Sequence, residues 1–398
     1  MCKMKIWCVL FVVCLYACTS SYEGVPKAYY PLLDAAFSKA GNHAAELKKA
    51  LENCPAEQKE GMAFLIAYMP ERDLKSLSAS FLLENVGYAY RAKERFVWAK
   101  ELPDSVFFNE VLPYVSMNET RDNWREDFYN RFSRYVENCC TLEEAIDSVN
   151  RNIRDEVMVD YNTKREKPDQ SPYESMRQNM ASCSGLSILL VDAFRAVGIP
   201  ARVAGTANWH DNRGNHNWCE VWIDGKWYFT EYYPNRLNET WFFADAGKAD
   251  KNDRQHAIFA TSFAPTEDYF PLVWDSTIHY VHARNVTDRY VELYKAYESA
   301  LLDDGNHVSV KVCMFKKPVC TLNSDDRVAA NVDVFCGANQ MGGGRTAGPH
   351  RDMNETLEFL LEKNKVYTFK YADAAGQDKA VDVKVGEKPR EIKLYMQE

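Results

Sequence analysis

Apolar positions along the chain change their period from helical to alternating, and the changes mark out its parts. Between residues 27 and 135 the apolar clusters Met62-Ala63-Phe64-Leu65-Ile66 and Phe81-Leu82-Leu83 predict a small helical core, broken at Pro70, Pro103 and Pro113. Thr141 and Glu144 have capping-box spacing, and Leu142, Ala145, Ile146, Val149 and Ile153 then share one helical face. Residues 162–172 are polar and charged and predict a surface loop. From Cys183 onward, Leu186, Leu189, Leu190, Ala193, Phe194 and Val197 recur at three- and four-residue steps, which predicts a second helix with a buried face. Gly198 ends it, and Ile199-Pro200 carries the chain away. A strand over Ala201-Arg202-Val203-Ala204-Gly205 follows, then strands over 217–223 and 227–233 around Asp224-Gly225, a strong hairpin signal. Residues 251–300 are aromatic-rich and follow no clear period. The last hundred residues alternate in short runs such as Val308-Ser309-Val310-Lys311-Val312, Val381-Asp382-Val383-Lys384-Val385 and Ile392-Lys393-Leu394-Tyr395-Met396, predicting an antiparallel β-sandwich. Gly342-Gly343-Gly344-Arg345 lacks the Gly-Lys-Ser/Thr of a phosphate loop and reads as a flexible connection.

The first residues carry a different signal. Lys3 and Lys5 precede an almost wholly apolar run from Ile6 to Ala17, too short for a spanning helix and suited to the core of a signal peptide. The run ends Leu15-Tyr16-Ala17-Cys18, which resembles a bacterial lipoprotein signal cut before a lipid-bearing cysteine; plain secretion with a nearby cut is the competing reading. Removing residues 1–17 takes away two lysines and moves the net charge from −9 to −11. A cell-envelope protein, anchored by lipid at the periplasmic face or on the outer-membrane surface, is expected. With 57 acidic against 48 basic side chains and no long basic run, a nucleic-acid partner is not expected. The cysteines left after Cys18 are too sparse for a disulfide scaffold and form no Cys-x-x-Cys pair, so they read as structural.

Cys183 is the exception. At the first turn of a helix, unpaired backbone N–H groups and the helix dipole favour a thiolate. In a hairpin turning at Asp224-Gly225, paired positions sum to about 449, so His216 pairs near 233 and Glu231 is its diagonal neighbour. An imidazole and a carboxylate therefore fall together, and a helix packed on that sheet can bring Cys183 to the imidazole. Gln178, five residues before Cys183, is a candidate oxyanion donor, and Trp209 and Trp241 are candidate substrate contacts. His210, Asp211, His216 and Cys219 lack any familiar ligand spacing, so neither a metal nor a cofactor is expected.

Met180-Ala181-Ser182-Cys183, the helix ending Gly198-Ile199-Pro200-Ala201-Arg202, and His216-Asn217-Trp218-Cys219-Glu220-Val221 followed by Gly225-Lys226-Trp227 resemble the transglutaminase-like family. The surroundings resemble the transglutaminase-like lipoproteins of Bacteroidetes. The resemblance implies an α+β, papain-like core (a helix packed on an antiparallel sheet) and a triad in which Cys183 is nucleophile, His216 base and acid, and Glu231 the orienting carboxylate. Two positions depart from the family pattern: Glu231 stands where Asp is usual, and Ala181 where Gly is.

The expected organisation is a signal peptide (1–17), a helical region (18–135), a transglutaminase-like core (136–250), a connecting segment (251–300) and a β-sandwich (301–398). The expected activity is hydrolysis of, or acyl transfer from, a peptide or amide, cell-envelope or glycan-linked substrates included, through a thioester. The competing expectation is a peptide- or glycan-binding scaffold that keeps the fold without the chemistry.

Overall fold

The computed structural model describes residues 22–397 apart from 235, 320–323 and 353. The leader, Cys18 and Cys320 lie outside the described residues. The chain divides at Ala79 into two units. In the first, α1 (Tyr30–Ala40), α2 (Ala44–Asn53) and α3 (Lys59–Tyr68) bury Leu33, Phe37, Leu47, Leu51, Met62, Leu65 and Ile66. The apolar 62–66 run is thus the core it was expected to be, and α3 stops just before Pro70, whose ring cannot continue a helix.

The boundary at 135 does not hold, because helices after residue 80 are tied into the part of the chain that follows. Beyond α4 (Ala79–Arg95), Trp98 Nε1 donates to the Val197 carbonyl at 3.0 Å. In α5 (Arg125–Val136), the buried Arg125 guanidinium donates to the carbonyls of Pro113 at 2.8 Å, Leu112 at 3.1 Å and Arg195 at 3.1 Å. The bonds to Val197 and Arg195 close carbonyls at the end of a helix that lies at least seventy residues further along the chain.

The Thr141 capping box is present and opens α6 (Leu142–Val157), which buries Ala145, Ile146, Val149 and Ile153 as the period required. Segment 162–172 is only half a surface loop: Asp169, Gln170 and Ser171 are buried. Ser171 caps α7 (Pro172–Gln178), a helix that the polar composition concealed. Gln170 Nε2 donates to the Met180 carbonyl at 2.8 Å, and Ser182 Oγ to the Pro168 carbonyl at 2.5 Å. The residues before Cys183 are therefore held from two sides.

α8 (Cys183–Ala196) begins at the Ser182 cap, whose Oγ accepts from the Gly185 N–H at 3.1 Å, and is buried on nearly every face. Gly198 has φ +75°, the left-handed conformation that lets the chain leave the helix, and a Cβ there would lie 2.7 Å from the Ala99 Cβ. The chain then enters an antiparallel sheet formed by β1 (Ala201–Thr206), β2 (His216–Ile223), β3 (Lys226–Thr230), β4 (Ile258–Thr261), β5 (Asp268–Tyr269) and β6 (His282–Asn285), in spatial order β3-β2-β1-β4-β6-β5. The hairpin register is the expected one, Ile223 opposite Lys226 and Cys219 opposite Thr230. Segment 251–300 is not a connector: β4 to β6 complete the sheet, and α9 (Thr287–Asp303) covers it through the buried Tyr290. Its strands are too short for period to reveal them.

The C-terminal part is a β-sandwich of β7 (His307–Phe315), β8 (Asn331–Cys336), β9 (Asn339–Arg345), β10 (Leu357–Glu362), β11 (Val366–Ala372), β12 (Asp378–Lys384) and β13 (Arg390–Tyr395). The sheets run β9-β8-β11-β12 and β10-β7-β13. They close over Val310, Val312, Val332, Val334, Phe369 and Leu394, each contributing about 1.5–3 kcal/mol by leaving water. Two expectations are corrected. The ladder between β13 and β7 is parallel, so the sandwich is not wholly antiparallel. Gly342, Gly343 and Gly344 lie inside β9, not in a flexible loop. Their smallness is used for packing: a Cβ at 344 would meet Leu357 Cδ1 at 2.2 Å, and one at 343 would meet Asp333 Oδ1 at 2.6 Å.

Candidate active site

Cys183, half-buried at the start of α8, lines a cavity of about 680 Å³ together with His216 and Glu231. His216 opens β2, and Glu231 follows the last residue of β3 across the hairpin. His216 Nε2 lies 3.5 Å from Glu231 Oε2, and Cys183 acts on the other side of the pair, favouring the charged ring. Burial raises the Cys183 thiol, but the hydrogen bond and charge of His216, the Asn217 backbone N–H and the Ser184 side chain outweigh it and leave the pKa below its ordinary value. Burial lowers His216, and the opposing bonds and charges of Cys183 and Glu231 carry it up to about 9. Both shifts favour a thiolate facing an imidazolium.

The carboxylate is fixed from several sides. Asn150 of α6, buried among apolar neighbours, donates Nδ2 to the Glu231 carbonyl at 2.8 Å. Tyr232 OH donates to the Val159 carbonyl at 2.9 Å, anchoring the next residue. Trp241 Nε1 donates to Glu231 Oε2 at 3.3 Å. The imidazole sits in an aromatic cage, with ring centroids of Trp241 at 5.0 Å, Phe242 at 5.2 Å, Trp218 at 5.8 Å and Trp209 at 6.0 Å. A ring that presents its face to an imidazolium adds attraction that grows when water is excluded.

Trp218 is itself held. Its Nε1 donates to Tyr290 OH at 2.6 Å, and that hydroxyl donates to Glu220 Oε1 at 2.6 Å. Burial raises Glu220, but Arg202 and Arg289 outweigh it and hold the carboxylate below its usual range. Arg202 contacts Glu220 at 2.8 Å, and Arg289 bonds it as well. The chain Glu220–Tyr290–Trp218 thus backs the histidine with a buried, satisfied network.

The other candidates fall differently. Both ends of the Gln178 amide are engaged away from the cavity: Oε1 accepts from the Glu166 N–H at 3.1 Å, and Nε2 donates to the Glu174 carbonyl at 3.1 Å and to Glu166 Oε2 at 3.3 Å. An oxyanion role for Gln178 is therefore not supported, because α7 turns the side chain back on its own loop. Trp209 and Trp241 both line the cavity, but Trp209 is almost fully buried and stacks on Trp218 at 5.9 Å. Cys219, considered with the metal candidates, is a buried thiol 3.4 Å from the Ser187 carbonyl. His210, Asp211 and Asp245 offer ligand atoms within 4.8 Å of one another. That cluster already holds a cation: Arg213 lies 2.7 Å from Asp211 and 2.5 Å from Asp245. Cys54, Cys139, Cys140, Cys183, Cys219, Cys313 and Cys336 are all free thiols.

Residues 130–232, which contain Cys183, His216 and Glu231, match the transglutaminase-like superfamily. This segment is a transglutaminase-like domain. Solved structures similar to the chain include two whose likeness is as follows. One is a Cytophaga hutchinsonii protein assigned as a cysteine protease, at 15% identity and TM-score 0.28, covering 36% of this chain and 46% of that one. The other is red sea bream transglutaminase, at 10% identity and TM-score 0.28, covering 66% of this chain and 57% of that one. The chain thus spans about half the length of each. No curated protein matches it.

Sequence reasoning missed Asn150, Tyr290 and the sandwich residues that line the cavity beside the transglutaminase-like domain. Asn150 had a signal, a polar residue on the apolar face of a well-capped helix. Tyr290 and the sandwich wall had none, because they reach the site through tertiary packing.

Proposed function

We propose that this protein is a cysteine-dependent amide or peptide hydrolase that works through a thioester, with Cys183 as nucleophile, His216 as acid and base, and Glu231 as the group that orients His216. The observation that carries this reading is the Cys183–His216 pair, with the thiol pKa held down and the imidazole raised to about 9 inside one cavity. The Cys183 thiolate attacks the amide carbonyl carbon. As the C–N bond breaks, the imidazolium gives its proton to the departing amine. Water then attacks the thioester, the imidazole takes its proton, and the C–S bond breaks to return the thiolate. The oxyanion would be met by backbone N–H groups that the first turn of α8 leaves without a partner inside the helix. Glu231 Oε2, 3.5 Å from Nε2, is placed to take up that side of the ring and leave Nδ1 for the sulfur, which is the job of a carboxylate in such triads. An amine in place of water in the second step gives acyl transfer by the same route.

The rate of alkylation by iodoacetamide against pH, followed at Cys183, tests the pair. The expected result is an apparent pKa below that of a free thiol in the wild type and a return towards about 8.5 in His216→Ala. Identical curves favour the scaffold reading. Lipid anchorage through Cys18 is part of the same proposal; metabolic lipid labelling that persists in Cys18→Ser overturns it.

A further inference from the structure

One wall of the cavity that holds Cys183 does not come from the transglutaminase-like domain. Asn331, Asp333, Phe335, Asn339 and Gln340 line it, and all belong to β8, β9 and the turn between them. In β8, Val332 and Val334 point into the sandwich core, so 331, 333 and 335 occupy its outer face. The outer face of a sandwich sheet ordinarily meets water. Here it lines the cavity that holds Cys183.

Glycine lies where the two parts approach each other. A Cβ at 343 would lie 2.6 Å from Asp333 Oδ1 and 3.0 Å from Arg213 Nη1, so a side chain there would displace the Asp333 carboxylate from its present place. Arg213 sits on the loop before His216 and lines the same cavity. The Arg345 N–H donates to Asp211 Oδ2 at 2.9 Å, adding a direct bond from the sandwich to that loop. The glycine run thus lies where the sandwich meets the catalytic loop.

The charge of this wall selects among ligands. Among the described lining residues, Arg213 is nearly buried and held by Asp211 and Asp245, and the His216 imidazolium is taken up by Cys183 and Glu231. Lys370, opposite Asp333 in the β8–β11 ladder, places its Nζ 4.0 Å from the Phe335 ring centre. Neither forms an ion pair with Asp333, whose Oδ1 accepts a hydrogen bond from Gln340 Nε2 at 3.2 Å. Burial raises the Asp333 carboxyl; Arg213 lowers it, Asp245 raises it and Lys370 lowers it, and the net shift is upward. A carboxylate whose net shift stays upward gains from a further cationic partner, whereas an anionic group placed against this wall meets the Asp333 charge. The neutral amides of Asn331, Asn339 and Gln340 can donate to or accept from the rest of the group.

We propose that Asp333, flanked by Gln340, is a specificity subsite contributed by the β-sandwich, which receives a cationic, hydrogen-bond-donating group of the substrate. The class of substrate is then an amide whose recognised part carries an ammonium or guanidinium away from the scissile bond. This deepens the proposed function and rests on Cys183 as the reacting group.

Methanethiosulfonate reagents test it without knowledge of the substrate, because the Cys183 thiolate displaces methanesulfinate and keeps the transferred group as a mixed disulfide. The reagents are the cationic aminoethyl, the anionic sulfonatoethyl and the neutral methyl compounds, with Cys183 followed by peptide mass mapping. The ratio of cationic to anionic rate, each relative to the neutral reagent, is expected to fall about tenfold in Asp333→Asn and to rise in Gln340→Glu. Asp378→Asn removes the same charge from an exposed position on β12 and is expected to leave the ratio as in the wild type. An unchanged ratio in Asp333→Asn, or an equal fall in Asp378→Asn, overturns the subsite. A neutral-reagent rate that His216→Ala leaves unaltered overturns the activated pair instead, and the charge ratio still reads the subsite because any thiolate at Cys183 reports it.

Discussion

The mouth of the cleft around Cys183 and the helix–sheet contact around Cys219 lie one turn of α8 apart and give the same chemical group opposite character. At Cys183 burial is answered by His216, by the Asn217 backbone N–H and by Ser184, and the thiol is drawn below its ordinary pKa. At Cys219 burial stands almost unopposed, with Glu231 adding to it and the contact with Ser187 only partly offsetting it, and the thiol is pushed far up. Both belong to the transglutaminase-like segment and pack where α8 meets β2. Burial alone makes a thiol inert; burial beside a cation that is itself held by a carboxylate makes a nucleophile.

The largest test of this contrast removes each sulfur. Cys183→Ala should abolish neutral-pH labelling of the site and cut amide hydrolysis, once a substrate is found, by about 10³-fold or more, while Cys219→Ala should retain both. Mass mapping of labelled protein and a hydrolysis assay read the two outcomes, and fast labelling at Cys219 in the folded protein breaks the comparison.

Next in size is the histidine. His216 has its pKa raised to about 9, above the ordinary 6.5. The favourable contribution of its charged form is therefore complete below pH 6.5 and lost as pH rises through about 9. Hydrolysis should follow a bell, rising as the thiol ionises and falling through about 9 as the imidazolium loses its proton, whereas alkylation should not fall on the alkaline side. His216→Ala should slow alkylation at pH 7 by roughly 10- to 100-fold, because the thiol then titrates near its free value.

The carboxylate comes third. Glu231→Gln should lower kcat by up to about 10⁴-fold, with Glu231→Asp retaining far more, since the loss comes from the imidazole's orientation and charge. A Glu231→Gln variant as active as the wild type makes the carboxylate an end-of-strand residue only. The smallest effect belongs to Trp241→Phe, which keeps a ring near His216 but removes the donor to Glu231 Oε2. One hydrogen bond to a charged group is worth about 1.5–3 kcal/mol, so a loss of roughly 10- to 100-fold in kcat with little change in KM is expected.

The sequence by itself determined the elements whose cause is local. The Thr141 capping box, the stop at Gly198 and the hairpin register at Asp224-Gly225 depend on residues within a few positions of one another, and each is where the pattern put it. From that register alone His216 and Glu231 had to fall together, and the cysteine at a helix start followed from periodicity. What only the tertiary structure decided depends on residues far apart in the chain. The edge strands over 258–285 are too short to show a period, and they exist because the sheet has an edge to extend. Gly342 to Gly344 read as a flexible loop, since no local pattern reveals that Asp333, Arg213 and Leu357 occupy the space where side chains would be. Gln178 stood at a plausible distance from Cys183 along the chain, yet α7 turns it back to Glu166. The difference between Cys183 and Cys219 was likewise beyond the sequence, because a thiol's pKa is set by the charges and amides within a few ångströms of it, and those arrive by packing.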